Sequence, residues 1–115
     1  MTNITVCSIN DIVPNTGVCA LVDNEQVAIF RISENNMDTF YAISNFDPFS
    51  KANVLSRGLV GCKNGVLTVA SPIHKQLFSL KTGKCLDDDN VCLKTWHVEA
   101  QDTQIVISRT SNKAA

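Results

Sequence analysis

Apolar residues in this chain come in short runs, and turn residues interrupt them roughly every ten positions, the rhythm of strands in a sandwich or small barrel. Ile4–Cys7 is the first such run. Pro14-Asn15-Thr16-Gly17 predicts a turn before Val18–Val22, Asp23-Asn24-Glu25 a reversal into Gln26–Ile32, and Glu34-Asn35-Asn36 another ahead of Thr39–Ile43. The middle of the chain breaks this rhythm. Asn45 to Gly58 contains Pro48, Asn53 and Gly58 and reads as a long loop with one helical turn around Ala52–Leu55. A loop of that length in so compact a chain is usually functional.

Beyond it, Lys63-Asn64-Gly65 lies between the apolar runs Leu59–Cys62 and Val66–Ala70 and predicts a hairpin, since Asn and Gly both tolerate positive φ. A second loop, Ser71–Gln76, leads to Leu77–Leu80, and Thr82-Gly83 makes a tight turn. Leu93–Ala100 and Gln104–Ser108 complete the pattern; in the first of these Trp96, Val98 and Ala100 share one face and Thr95, His97 and Glu99 the other. No segment sustains the apolar period of a substantial helix. The expected class is all-β: one domain over residues 1–109, with a disordered tail at 110–115.

Composition narrows the function classes. A chain of 115 residues buries enough surface to fold without disulfides or metals. Net charge is −1 and no Lys/Arg cluster occurs, which argues against nucleic acid as a partner. Asp87-Asp88-Asp89 lacks the alternation and glycine of a calcium loop and is expected to be a solvated turn. The five cysteines, at 7, 19, 62, 85 and 92, are odd in number and no two are closely spaced, so neither a disulfide scaffold nor a zinc site is expected. Cys7, Cys19 and Cys62 lie in or beside apolar runs and are expected to be reduced, buried thiols. With no signal-like start and no apolar run long enough to span a bilayer, the expectation is a cytoplasmic protein without a membrane partner.

Two proline loops carry the candidate chemistry: Asp47-Pro48-Phe49, after Tyr41–Asn45 and before Leu55-Ser56-Arg57-Gly58, and Ser71-Pro72-Ile73-His74, before Phe78-Ser79-Leu80-Lys81-Thr82-Gly83. From Val18 to Ile107 this frame resembles the Rieske iron–sulfur family, in which a Cys-Pro-His loop and a Cys-Pro-x-His loop hold a two-iron cluster. The resemblance implies that fold, a sandwich or barrel with a small loop-bearing subdomain. At the four ligand positions it places Asp47, Phe49, Ser71 and His74, of which His74 alone keeps the family's residue. Two thiolates and two imidazoles are required. A phenyl ring donates nothing to a metal, and carboxylate and hydroxyl are hard oxygen donors. No catalytic, cofactor-binding or metal site is therefore expected in this chain.

Gly17–Leu21, Glu25–Arg31, Ile43–Phe49 and Val69–Pro72 are moreover similar to the cluster-free Rieske-like small subunits of bacterial cytoplasmic NADH-dependent nitrite reductases. That resemblance implies a large partner subunit carrying FAD, siroheme and a 4Fe-4S cluster, which reduces nitrite to ammonium while the small subunit docks on it. The expected interface residues are Pro48, Phe49, His74 and Lys75. Phe49 has two readings: an apolar anchor for the partner, or a ring folded back into the space a cluster would take. His74 is either a solvent-facing loop residue or a partner contact. The alternatives are a Rieske-type electron carrier with unusual ligands, and a small hydrolase using Ser71, His74 and Asp47.

Overall fold

The computed structural model describes the backbone of residues 3–112 and the side chains of residues 3–108. Within them the chain is built of strands: β1 (Asn3–Ser8), β2 (Thr16–Val22), β3 (Glu25–Glu34), β4 (Met37–Ser44), β5 (Phe46–Asp47), β6 (Ala52–Asn53), β7 (Leu59–Lys63), β8 (Val66–Ala70), β9 (Leu77–Ser79), β10 (Thr95–Gln101) and β11 (Gln104–Asn112). The helical elements of the described residues are two short 3-10 turns, Ile9–Asp11 and Leu55–Arg57. No helix is long and apolar enough to cross a membrane.

Six strands form one antiparallel sheet in the order β1-β11-β10-β4-β3-β2, which curls into a half-barrel. The chain leaves this sheet at Ser44 and returns at Thr95, which pairs with Ile43 on the strand just left. Between those points lie the β5–β6 pair and the β7-β8-β9 sheet, together a smaller lobe. Three hairpins turn on two residues of positive φ: Asp23-Asn24, Asn35-Asn36 and Asn64-Gly65. Asn, Asp and Gly are the residues that reach this region at least cost, and the resulting turn matches the right-handed twist of the strands.

β3 is buried on both faces. Val27 and Ile29 join Ile12, Val22, Trp96 and Ile105 in one core, while Ala28, Phe30 and Ile32 point oppositely into a second with Leu55, Val69 and Phe78. β4 does the same, with Ala42 in the first core and Ile43 in the second. The period-2 alternation of a strand therefore yields an unbroken apolar run at Val27–Phe30, because both sides are interior. One-sided β2 keeps the alternation visible: Val18, Ala20 and Val22 face inward and Cys19 and Leu21 outward.

Several expectations are corrected here. Cys19 and Cys62 are exposed and Cys7 half-buried, the first by strand parity and the second by lying on the sheet's edge strand β7; Cys85 is the buried thiol, in the second core. The 45–58 loop contains the β5–β6 pair, and its helical turn falls at Leu55–Arg57 rather than at Ala52–Leu55. β11 runs on through Asn112, because its far end pairs with the start of β10 (Thr95 with Asn112, Trp96 with Ser111). Residues 110–112 of the expected tail thus lie in β11, and residues 113–115 lie outside the described residues.

Within the lobe, close backbone approach fixes the end of the Leu55–Arg57 turn against β8. A Cβ on Gly58 would stand 2.4 Å from the Ala70 carbonyl oxygen and 2.6 Å from Val69 Cγ2, whereas one on Gly61 would meet nothing nearer than Thr68 Oγ1 at 3.8 Å. We expect Gly58→Ala to destabilise the chain by about 1–3 kcal/mol through overpacking. Gly61→Ala should be neutral or slightly stabilising, as strand glycine carries an entropic penalty. Urea denaturation of both variants checks the contrast, and equal midpoints would refute it.

Candidate functional site

Asn45 ties off the first loop at both ends. Its backbone N–H donates to the Gln26 carbonyl (3.0 Å) and its own carbonyl accepts from Leu55 N–H (3.1 Å). Its side-chain Oδ1 accepts from Ser56 N–H (2.7 Å), while Nδ2 donates to Gln26 Oε1 (3.1 Å). A buried amide that is satisfied on all sides fixes the chain on either side of it.

Strand parity then decides which way β5 points its two residues. Phe46 faces out, 42% exposed, and Asp47 faces in, fully buried. The Asp47 carboxylate accepts three hydrogen bonds: from Phe49 N–H (2.9 Å), Ser50 Oγ (2.9 Å) and Ser71 Oγ (2.5 Å). Burial pushes its carboxyl up, and the bonds donated by Ser71, Phe49 and Ser50 more than offset this, so it lies below the ordinary aspartate value. Ser71 is also fully buried. The Asp47–Ser71 bond links the two candidate loops inside the protein.

The loops have the same internal plan. In Asp47-Pro48-Phe49-Ser50-Lys51 the first side chain accepts from the third residue's N–H, and the first carbonyl accepts from Lys51 N–H at 2.7 Å. In Ser71-Pro72-Ile73-His74-Lys75 the first side chain again accepts from the third residue (Ile73 N–H, 3.3 Å), and the first carbonyl accepts from Lys75 N–H at 3.1 Å. Each loop ends on a lysine of positive φ, 58° at Lys51 and 67° at Lys75. The second loop is closed by Ser71 N–H donating to the Gln76 carbonyl at 3.0 Å. Beside it, Asp87 caps Leu77 N–H (2.8 Å) and Asp88 caps Asn90 N–H (2.9 Å), so the acidic run is a hydrogen-bonded turn.

The remaining positions divide between inside and outside. Phe49 turns inward against Phe78, ring centroids 6.2 Å apart, and packs on the second core. Pro72, Ile73, His74 and Lys75 are exposed at the second tip. Phe46, which sequence reasoning missed, stands between two shallow grooves, the larger about 540 Å³ and shared with Pro48, Val91 and Cys92. The sequence carries no signal for it: β5 is two residues long, and the inward direction of Asp47, which turns Phe46 out, is set only by folding.

This donor set does not fit a two-iron cluster. The Asp47 carboxylate and the Ser71 hydroxyl are engaged with each other, Phe49 offers a ring to the core and no lone pair, and His74 stands at the surface. Among the described residues no group of three or more His, Cys, Asp or Glu is arranged to hold a metal ion. The geometry is equally unsuited to hydrolysis: a fully buried Ser71 that donates to Asp47 has no histidine base beside it and no access to substrate. His97 pairs with Glu99 at 3.0 Å on the exposed face of β10, away from both loops in sequence and in sheet.

A test follows from the sign of the Asp47 shift. Since its folded value is depressed, its stabilisation is present above the unfolded value near 3.8 and is lost as pH falls through the lower folded value. Ser71→Ala should destabilise the chain by about 1–3 kcal/mol at neutral pH, the range for a hydrogen bond to a buried charge. It should also move the acid-unfolding limb to higher pH. Denaturation midpoints measured from pH 7 down to acid unfolding read both effects, and an unmoved acid limb would count against the bond.

Comparison with known proteins agrees with the fold. The profile of the Rieske-like [2Fe-2S] domain family matches residues 2–108. The chain is 48% identical over 97 residues to the nitrite reductase (NADH) small subunit of Escherichia coli strain K12, covering 84% of this chain and 88% of that one. It is similar to the NMR structure of the E. coli protein NirD, with a TM-score of 0.82, 45% identity, and coverage of 90% of this chain and 93% of that one. It is 34% identical over 100 residues to the nitrite reductase [NAD(P)H] large subunit of Klebsiella oxytoca, a match of 87% of this chain to 10% of that protein. At 21% identity the ferredoxin of carbazole 1,9a-dioxygenase from Nocardioides aromaticivorans shares the fold, with a TM-score of 0.75. Joined to the curled sheet and its two-loop lobe, these likenesses show that the chain belongs to the Rieske-like [2Fe-2S] domain family.

Proposed function

We propose that this chain is the non-catalytic small subunit of an NADH-dependent nitrite reductase, docked on a large subunit that reduces nitrite to ammonium. The observation that carries this reading is the pair of loops: their frame is that of the family, yet the ligand positions hold a buried Asp47–Ser71 hydrogen bond and a Phe49 ring packed into the core. Such a lobe has a use in contact and none in electron relay. The Klebsiella relative supports the choice of partner, since a domain that makes up a tenth of a protein named as the large subunit is one suited to work against it.

In this reading the large subunit holds FAD, siroheme and a 4Fe-4S cluster and takes electrons from NADH. The small subunit orders or covers a part of it, in the cytoplasm, with neither nucleic acid nor membrane as partner. Of the interface residues expected from sequence, Pro48, His74 and Lys75 remain candidates. Phe49 serves better as the inward prop of the first loop, and Phe46 takes its place as the aromatic anchor.

Co-expression with the large subunit tests the proposal. The two chains should co-purify, and NADH-dependent nitrite reduction should fall when this chain is left out, while the isolated chain stays colourless. Iron with acid-labile sulfide in the purified chain, or a large subunit that neither binds it nor gains activity from it, would overturn the reading.

A further inference from the structure

The charges of this near-neutral chain are segregated. Seven of its ten Lys and Arg residues fall within residues 45–94, and seven of its eleven Asp and Glu residues fall outside that lobe. Every one of those seven basic side chains is exposed. The lobe has four acids against these seven bases: Asp47 is buried, Asp87 and Asp88 cap backbone N–H groups, and Asp89 is exposed. A basic lobe thus sits on an acidic sheet.

Within the lobe two lysines stand apart. Lys51 and Lys75 occupy the same place in the two loops, each held at positive φ and each anchored by its backbone N–H to the carbonyl of the residue that forms the buried Asp47–Ser71 bond. Holding a lysine in the left-handed region costs energy that glycine or asparagine would not incur. Neither has an ion-pair partner among the described residues, whereas Lys94 is bound to Glu25 at 2.6 Å. Apolar residues flank both loops: Phe46 at 42% exposure beside the first and Ile73 at 50% on the second.

We infer that the two loops form one docking face, with Phe46 and Ile73 as its apolar contacts and Lys51 and Lys75 as a fixed basic rim, shaped for an apolar patch bordered by carboxylates on the large subunit. The inference deepens the docking role proposed above and rests on it. Charge complementarity selects the partner's chemistry: a basic rim steers toward an acidic surface and is repelled by a basic one. Rigidity favours the same face, since loops linked by an internal hydrogen bond lose little freedom on binding.

The experiment measures binding of the full-length chain to the large subunit by biolayer interferometry over a range of salt. Wild type must bind; failure to do so at any salt sinks the docking role itself. Given wild-type binding, Lys51→Glu/Lys75→Glu should associate about tenfold or more slowly at low salt and show a flatter salt dependence. Phe46→Ala should dissociate about tenfold or more faster, as expected for an aromatic anchor. Glu34→Lys and Glu99→Lys, exposed on the large sheet, should bind as wild type does. Thermal midpoints identify variants that fold, and Lys51→Gln/Lys75→Gln supplies a milder pair if the double reversal does not. Loop variants that bind normally, with the sheet variants impaired, would overturn the inference while leaving the docking role standing.

Discussion

The constraint on which this molecule depends is the burial of β3 and β4 on both faces. A strand pair with a core on each side cannot slip by one residue, because every side chain would exchange interiors and the two cores have different shapes. Val27 and Ile29 pack with Trp96 and Ile105, whereas Ala28 and Phe30 pack with Leu55 and Phe78. The register of this wall therefore fixes the large sheet and the lobe together. The lobe begins one residue beyond the wall, at Asn45, and inherits its position from it.

From that fixed start, the direction of each side chain in the first loop follows with little freedom. Asn45 is held by five hydrogen bonds, β5 alternates, and Asp47 arrives inside the protein as a carboxylate that must be satisfied. Ser71 meets it from the second loop. In the cluster-bearing members of the family, metal coordination spans the two loops; here one charged hydrogen bond and the Phe49–Phe78 contact do so. An aromatic pair of this kind adds about 0.5–1.5 kcal/mol beyond its buried area. A lobe of this size can thus be held without iron by ordinary core and polar contacts.

Much of this was legible in the sequence where chemistry is local. The Asn64-Gly65 turn, the strand rhythm and the all-β class depend on neighbours a few residues apart, and the chain shows them as read. What depended on the third dimension was not. The apolar run Val27–Phe30 conceals two opposed faces, so periodicity alone does not reveal that β3 divides two cores. Cys19 and Cys62 lie in apolar runs and yet face out, because parity and edge position decide exposure rather than local composition. The four ligand positions could be read for donor chemistry but not for their hydrogen bonds; that Asp47 meets Ser71 across 24 residues of sequence is a product of folding. Of the two readings the sequence leaves for Phe49, the inward ring is the one the fold shows, and Phe46 escapes notice because a two-residue strand inside a presumed loop gives no pattern to read.

The parallel construction of the two loops links this geometry to a role. Asp47 and Ser71 each accept an N–H two residues on, each is followed by proline, and each carbonyl receives the N–H of a lysine four residues on. Proline fixes φ and removes a donor at the second position, which favours a tight turn without leaving an unpaired N–H. The buried side chains then meet each other while the exposed lysines are held on the outer side of each turn. Had the lobe served only to complete a core, the inner contacts would suffice and the fifth position of each loop would favour glycine. Lysine at both, in a backbone conformation that disfavours it, points outward to a requirement that the core does not impose.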